Sequence, residues 1–188
     1  MSLKDYIESN EKLSNSSELV FFGGSFNPWH SGHTSCIQLL PKDKALIVAP
    51  DHNPFKELVE KKHCDLSDIK SELESSKREA FIYEGFLDQN KKNPTSVWIS
   101  ELKKAFPDKK LSLLIGFDSF ASIDRWTNAQ SLLSELFSLY VASRMDDPSI
   151  KEEQTQRLKE IAPNLNIQFL GGHPHEKLSS TKIREGLD

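Results

Sequence analysis

Short apolar runs of strand length alternate along this chain with longer segments of helical period, and that alternation leaves few folds open. The runs are residues 19–22, 46–49, 81–83, 111–115, 138–141 and 167–170. Between and after them lie helical candidates at 33–40, 66–77, 96–105, 129–136, 149–161 and 180–187. In the fourth of these, Leu132, Leu133 and Leu136, with Phe137 beyond it, recur at the spacing of one helix face. Strands separated by helices pair in parallel through right-handed crossovers. The expectation is an α/β fold, a Rossmann-like three-layer sandwich with a mostly parallel central sheet. Residues 1–18 are polar and rich in Ser and Asn, and are expected as an N-terminal extension, either a short helix or a mobile arm. Residues 19–188 are expected as a single domain, without internal repeats.

Bulk properties narrow the partners. A chain of 188 residues buries roughly 70% of its unfolded surface on folding, enough for a core without disulfide or metal staples. The net charge of −4 makes the whole surface a poor match for nucleic acid, so an anionic ligand has to be met by local positive charge. No apolar run approaches the ~18–20 residues that span a bilayer, and the N-terminal residues lack the apolar stretch of a secretory signal. Cys36 and Cys64 have no metal-ligand spacing and read as free thiols. These features predict a cytoplasmic protein that binds neither nucleic acid nor membrane.

Ligands of open α/β sheets bind beyond the carboxyl ends of the strands, and the unusual residues of this chain fall there. The first run leads into Gly23-Gly24-Ser25-Phe26-Asn27-Pro28-Trp29-His30-Ser31-Gly32-His33. Glycines directly after a strand let the backbone turn tightly and approach a ligand. His30 and His33 are three apart, so at the start of a helix their rings share one face. The helix N-terminus favours negative charge, and two imidazoles beside a triphosphate can stabilise charge developing on its oxygens. The last run leads towards Ser179-Ser180-Thr181-Lys182-Ile183-Arg184. Hydroxyls at a helix N-cap with unsatisfied N–H groups make an anion cradle, to which Lys182 and Arg184 add positive charge. Alone, the glycine pair is an ordinary turn and the Ser-Ser-Thr run an ordinary cap; together, at two strand ends, they describe a nucleotide site.

The pairing of HxGH behind GGSFNP with the late SSTKIR resembles the nucleotidylyltransferase superfamily. Within it the chain most resembles nicotinate- or nicotinamide-mononucleotide adenylyltransferases, on GGSFNPWH, on residues 50–56 (PDHNPFK), on residues 115–120 (IGFDSF) and on Trp126. The resemblance runs from about Val20 to Arg184. It implies attack of a pyridine mononucleotide phosphate on the α-phosphorus of ATP, releasing pyrophosphate in NAD biosynthesis. Carried over by residue, it implies catalytic roles for His30, His33, Lys56 and Arg184. ATP would be met by Gly23, Gly24, Ser25, Phe26, His30, His33, Gly116, Asp118, Ser179, Ser180, Thr181 and Arg184. The mononucleotide would be met by Ser25, Phe26, His52, Lys56, Thr95 and Trp126, whose ring would support the pyridine. Mg2+ is expected with ATP, held mainly by phosphates and water, and a homodimer is the expected assembly.

Several residues depart from the family pattern. Asn27 stands where nicotinate-type enzymes usually carry Asp. Residues 93–102 (NPTSVWISEL) keep Thr95 but replace much of the segment that meets the pyridine substituent, and Trp98 there reads as a packing residue rather than a stacking one. His63 with Cys64, and His173 with His175, lack the ligand spacing of a structural zinc site and read as loop residues. Two alternatives stay open on residues alone. One is a relative acting on pantetheine phosphate or on CTP, and the other is a nucleotide-binding sensor without turnover.

Overall fold

The computed structural model describes residues 1–51, 65–89, 91–143, 145–180, 183 and 186. Six strands form one sheet: β1 (Glu18–Gly24), β2 (Ala45–Pro50), β3 (Phe81–Ile82), β4 (Lys110–Gly116), β5 (Ser138–Ala142) and β6 (Asn166–Phe169). Their order is β3-β2-β1-β4-β5-β6, and every neighbouring pair is parallel. The expected α/β class is what the chain adopts.

The near-continuous apolar runs follow from a sheet buried on both faces. Side chains alternate along a strand, so Leu19 and Phe21 of β1 enter one core cluster while Val20 and Phe22 enter the other. The first cluster lies beneath α5 (Thr95–Ala105), α7 (Ala129–Glu135) and α8 (Pro148–Ile161), through Trp98, Ile99, Leu132, Leu133 and Leu158. The second lies beneath α3 (Ser31–Leu39) and α4 (Leu66–Ser76), through Cys36, Ile37, Ile69 and Leu73. Expected and observed ends of these strands and helices differ by at most two residues, because turn chemistry marks them. Asp65 caps α4 and Asp147 caps α8, each through its side chain. The expected helix over 180–187 falls largely outside the described residues.

Residues 1–18, expected as a polar extension, pack on the first cluster. Ser2 and Asp5 cap α1 (Leu3–Ser9) reciprocally, and Asn10 caps α2 (Glu11–Asn15). Leu3, Ile7 and Leu13 from this segment are buried among the strand residues. The Tyr83 hydroxyl donates to the Met1 carbonyl at 3.1 Å, and Lys109 Nζ donates to the Ser14 and Ser16 carbonyls at 2.6 and 2.7 Å. A lysine at the C-terminal end of α2 satisfies carbonyls that have no partner within the helix.

At the amino ends of the strands the Glu18 carboxylate is 8% exposed. It accepts from Ser112 Oγ at 2.7 Å, Tyr140 OH at 3.0 Å and Lys44 Nζ at 2.9 Å. A buried carboxylate needs such partners, and this set ties β1, β4, β5 and the approach to β2 together. The hydrogen bond to Glu18 raises the pKa of Lys44 above the usual lysine value, and burial raises that of Tyr140.

The opposite, carboxyl ends carry the described candidate site residues. β1 and β4 are adjacent and central, and the chain proceeds outward from them in opposite directions. That is the topological switch point, where a crevice opens. Beyond β4 lie a short α6 (Phe117–Phe120) and a 3-10 turn (Ile123–Arg125). The buried Gln154 of α8 holds both, donating to the Phe120 carbonyl at 3.0 Å and to Asp124 Oδ1 at 2.8 Å. Among the described residues no helix is long and apolar enough to cross a membrane.

Candidate active site

β1 ends at Gly23 and Gly24, which register with Ala49 and Pro50 of β2, and the Asp51 amide donates to the Gly24 carbonyl at 3.0 Å. A Cβ on Gly24 would lie 2.9 Å from the Phe26 ring, so this glycine permits a close approach. Phe26 then turns the chain at φ 43°, and the Asn27–Pro28 peptide is cis. Ser25 is half-buried in this turn and Phe26 is buried.

His30 is the N-cap of α3 and His33 lies in its first turn. The two cap the helix reciprocally. His30 Nδ1 accepts from the Gly32 amide at 3.1 Å, and His33 Nδ1 accepts from the His30 amide at 3.3 Å. An imidazole nitrogen that accepts carries no proton, which assigns both neutral rings to the Nε2–H tautomer. The rings stack with centroids 3.8 Å apart and planes 21° apart. His30 Nε2 is screened from solvent by the fold. His33 is bounded by Phe26 at 5.0 Å and Trp29 at 5.1 Å between ring centroids. Gly32 makes room for this arrangement: a Cβ there would meet the His30 ring at 2.9 Å and the His175 carbonyl at 3.3 Å.

The late motif reaches the early one. Ser180 Oγ donates to the Pro28 carbonyl at 2.9 Å, and the Ile183 amide donates to the Ser179 carbonyl at 3.1 Å. The loop between β6 and Ser179 is organised by Glu176, whose carboxylate accepts from the His173 amide at 3.1 Å and the Met145 amide at 3.0 Å. His173 Nδ1 accepts from the His175 amide, and its Nε2 lies 3.7 Å from Cys36 Sγ in α3. Among the described residues no group of three or more His, Cys, Asp or Glu is placed to hold a metal.

The third strand end supplies Gly116, the N-cap of α6, and the exposed Asp118 in its first turn. Trp126, which follows the 3-10 turn, is half-buried against the first core cluster. Thr95 opens α5 and is half-buried. Just before it, Asn93 Nδ2 donates to Asp51 Oδ1 at 3.2 Å, tying the start of α5 to the end of β2. Trp98 packs in the core against Phe21 at 5.1 Å and Phe86 at 5.8 Å, the packing role expected for it.

Among the described residues the late motif therefore meets the early one at Ser180 on Pro28, and the loop before it lies against Gly32 at the His175 carbonyl. His52, Lys56, Thr181 and Arg184 lie outside the described residues. Residues that sequence reasoning missed are Thr34 and Glu72. Trp29 Nε1 donates to Thr34 Oγ1 and Thr34 Oγ1 to Glu72 Oε2, each at 2.9 Å. Glu72 is 38 residues from Thr34, and no local pattern announces the pairing.

Comparison with known proteins places this arrangement. The family model for cytidylyltransferase-like proteins matches residues 21–186. A probable nicotinate-nucleotide adenylyltransferase of Sulfurimonas denitrificans is 32% identical over 175 residues, covering 90% of this chain and 85% of that protein. One from Leptospira interrogans is 34% identical over 140 residues, covering 69% of each. Among solved structures, the Plasmodium falciparum nicotinic acid mononucleotide adenylyltransferase complexed with NaAD matches with a TM-score of 0.66 at 17% identity. That match covers 90% of this chain and 83% of the other, and it is a likeness of fold. The chain belongs to the cytidylyltransferase-like family of nucleotidyltransferases, in the branch of the nicotinate-nucleotide adenylyltransferases.

Proposed function

We propose that this protein transfers the adenylyl group of ATP to nicotinate mononucleotide, forming the dinucleotide and pyrophosphate in NAD biosynthesis. The observation that carries the reading is the stacked, reciprocally capped pair His30 and His33 at the end of β1, joined to the late motif through Ser180. The names of the relatives given above, nicotinate-nucleotide adenylyltransferases, favour the acid over the amide.

A phosphate oxygen of the mononucleotide attacks the α-phosphorus in line. The new P–O bond forms as the bond to the β-phosphate oxygen breaks, and pyrophosphate leaves with the electron pair. No enzyme group is covalently engaged, so the residues position reactants and stabilise charge. His33 Nε2–H is the donor to the α-phosphate, where negative charge builds. His30, through its stacking on His33, shares in that role. The backbone of Gly23, Gly24, Ser25 and Phe26 lines the triphosphate and mononucleotide. Ser179, Ser180, Thr181 and Arg184 take the β- and γ-phosphates. The Asp118 carboxylate accepts from ribose hydroxyls beside Gly116. Lys56 and His52 meet the phosphate groups, while Thr95 and Trp126 meet the pyridine.

The donors gathered at the strand ends are imidazole, hydroxyl and amide groups, which suit phosphate oxygens rather than a bare hard cation. Magnesium is expected to arrive on the triphosphate and to supply charge neutralisation there when bound. Because the reaction consumes ATP and a soluble mononucleotide, its place is the cytoplasm.

Pyrophosphate release from Mg-ATP, measured separately with nicotinate and nicotinamide mononucleotide, tests the reading. Turnover with the acid, well above that with the amide, supports it. Release only with pantetheine phosphate as the acceptor, or only with CTP in place of ATP as the donor, or ATP binding without any turnover, overturns it.

A further inference from the structure

An acidic residue beside a triphosphate site works against it, because a carboxylate repels phosphate. Glu176 stands three residues before Ser179 and four before Ser180. Its two oxygens account for its presence there. Oε1 accepts from the His173 amide at 3.1 Å, and Oε2 accepts from the Met145 amide at 3.0 Å. Hydrogen bonds from backbone N–H groups to an ionised carboxylate are among the strong ones. Here they join the loops that follow two neighbouring strands, β5 and β6.

The surrounding backbone is shaped for this clamp. Gly171 turns the chain out of β6 at φ 87°, a conformation that favours glycine. Its carbonyl accepts from the Ser143 amide at 3.1 Å, a second link between the two loops. Gly172 leaves the space that the carboxylate fills, since a Cβ there would overlap Glu176 Oε1. Beyond Glu176, the Leu178 amide closes a turn on the His175 carbonyl at 3.1 Å, and Ser180 Oγ reaches the Pro28 carbonyl. The segment from Gly171 to Ser180 is thus tied at one end to the loop after β5 and at the other to the loop after β1.

We propose that Glu176 is a positioning residue for ATP: with one oxygen on each loop, it holds the chain before Ser179 and Ser180 so that their hydroxyls stand ready before the triphosphate arrives. The proposal deepens the adenylyl transfer proposed above and rests on it. A loop ordered in advance loses little conformational entropy when ligand binds. Without the clamp that ordering falls on ATP binding, and the apparent affinity drops by the fraction of molecules whose loop is in place. Once ATP is bound the loop is ordered, so the chemical step is spared.

Glu176→Ala is expected to raise the KM for ATP about tenfold, while kcat and the KM for the mononucleotide change less than about twofold. Glu176→Gln keeps the length but accepts through one oxygen, and is expected to fall between the two. The sign discriminates. Both substitutions remove a negative charge beside the triphosphate, so repulsion alone would lower the KM for ATP. A merely structural role would lower stability in urea and leave that KM where it is. An unchanged or lowered KM for ATP in Glu176→Ala therefore overturns the proposal. Gly172→Ala displaces the carboxylate while keeping its charge, and is expected to raise the KM for ATP by a similar factor. Added to Glu176→Ala it is expected to cost less than about twofold more; an additive loss overturns the clamp.

Two readouts without turnover separate this role from the proposed reaction. In the full chain without nucleotide, the Met145 and His173 amides are expected to exchange hydrogen at least about tenfold faster in Glu176→Ala than in wild type. Equal rates in the two proteins sink the clamp. Calorimetric titration with Mg-ATP alone is expected to show the same roughly tenfold loss of affinity as the KM, and equal affinities sink the positioning role. A wild-type protein that binds Mg-ATP but releases no pyrophosphate sinks the proposed reaction, while exchange and titration still decide what Glu176 does.

Discussion

The hydroxyl of Ser180 donates to the carbonyl of Pro28 at 2.9 Å across 152 residues of chain. Pro28 precedes the two histidines of α3 and Ser180 belongs to the late motif, so one hydrogen bond sets the distance between the two halves of the proposed triphosphate site. Ser180→Ala is expected to cost about 0.5–1.5 kcal/mol of stability, the net worth of one such bond, and to raise the KM for ATP more than it lowers kcat. Urea unfolding and steady-state kinetics check both; an unchanged KM removes Ser180 from the site.

His33→Ala is expected to cut kcat by about 10²–10³, or roughly 2.7–4 kcal/mol, as for a lost charge-stabilising donor. The KM values are expected to change less. A loss under about tenfold means that His33 does not reach the reacting phosphate. Arg184→Ala, in contrast, is expected to act on the KM for ATP, and an unchanged value takes it out of triphosphate binding.

Gly32 is held on two sides. A Cβ would lie 2.9 Å from the His30 ring and 3.3 Å from the His175 carbonyl. Because the His30 ring accepts from the amide of Gly32 itself, it cannot withdraw without losing its cap. Gly32→Ala is therefore expected to unstack the histidines and lower kcat by at least about tenfold. It should also destabilise the fold by about 1–3 kcal/mol. Kinetics with wild-type values would show that the loop before Ser179 gives way instead.

Ile7 is fully buried in the same cluster as the strands of the sheet. Ile7→Ala is expected to cost about 2–5 kcal/mol, the usual range for such a cavity, and to lower the melting temperature with no effect specific to KM. A cost under about 0.5 kcal/mol, typical of surface positions, would make residues 1–18 a dispensable arm.

Asp124 answers to pH. Burial raises its pKa, but the hydrogen bonds from Gln154 and Arg157 outweigh that and hold it below the ordinary carboxylate value. A carboxylate depressed in the folded state binds its proton more tightly when unfolded. Its contribution is therefore fully present above the unfolded value of about 3.9 and is lost as pH falls through the lower folded value. The stability gap between the wild type and Asp124→Asn is expected to be constant near neutrality and to shrink below about pH 4. Thermal melts of the two proteins across that range decide it; a gap that widens in acid contradicts the assignment.

Much of this architecture is local enough to read from the chain. The β1 run needs only its unbroken apolar residues and the Gly23-Gly24 break after them, and Asp65 and Asp147 announce their helices within three residues. The N-terminal helices were harder. Leu3 and Ile7 have helix spacing, but a few apolar side chains in a polar stretch do not say whether a core awaits them.

By itself the sequence determined the strand alternation, hence the parallel sheet, and marked out the two motifs proposed to face phosphate, because periodicity and turn chemistry act over a few neighbouring residues. Only the tertiary structure decided which distant groups meet: Ser180 on Pro28, Glu72 on Thr34, Glu176 between His173 and Met145. It also decided that both histidines accept through Nδ1. A hydrogen bond of about 3 Å depends on the order of strands and the placement of helices upon them, and these are set by the packing of the whole core.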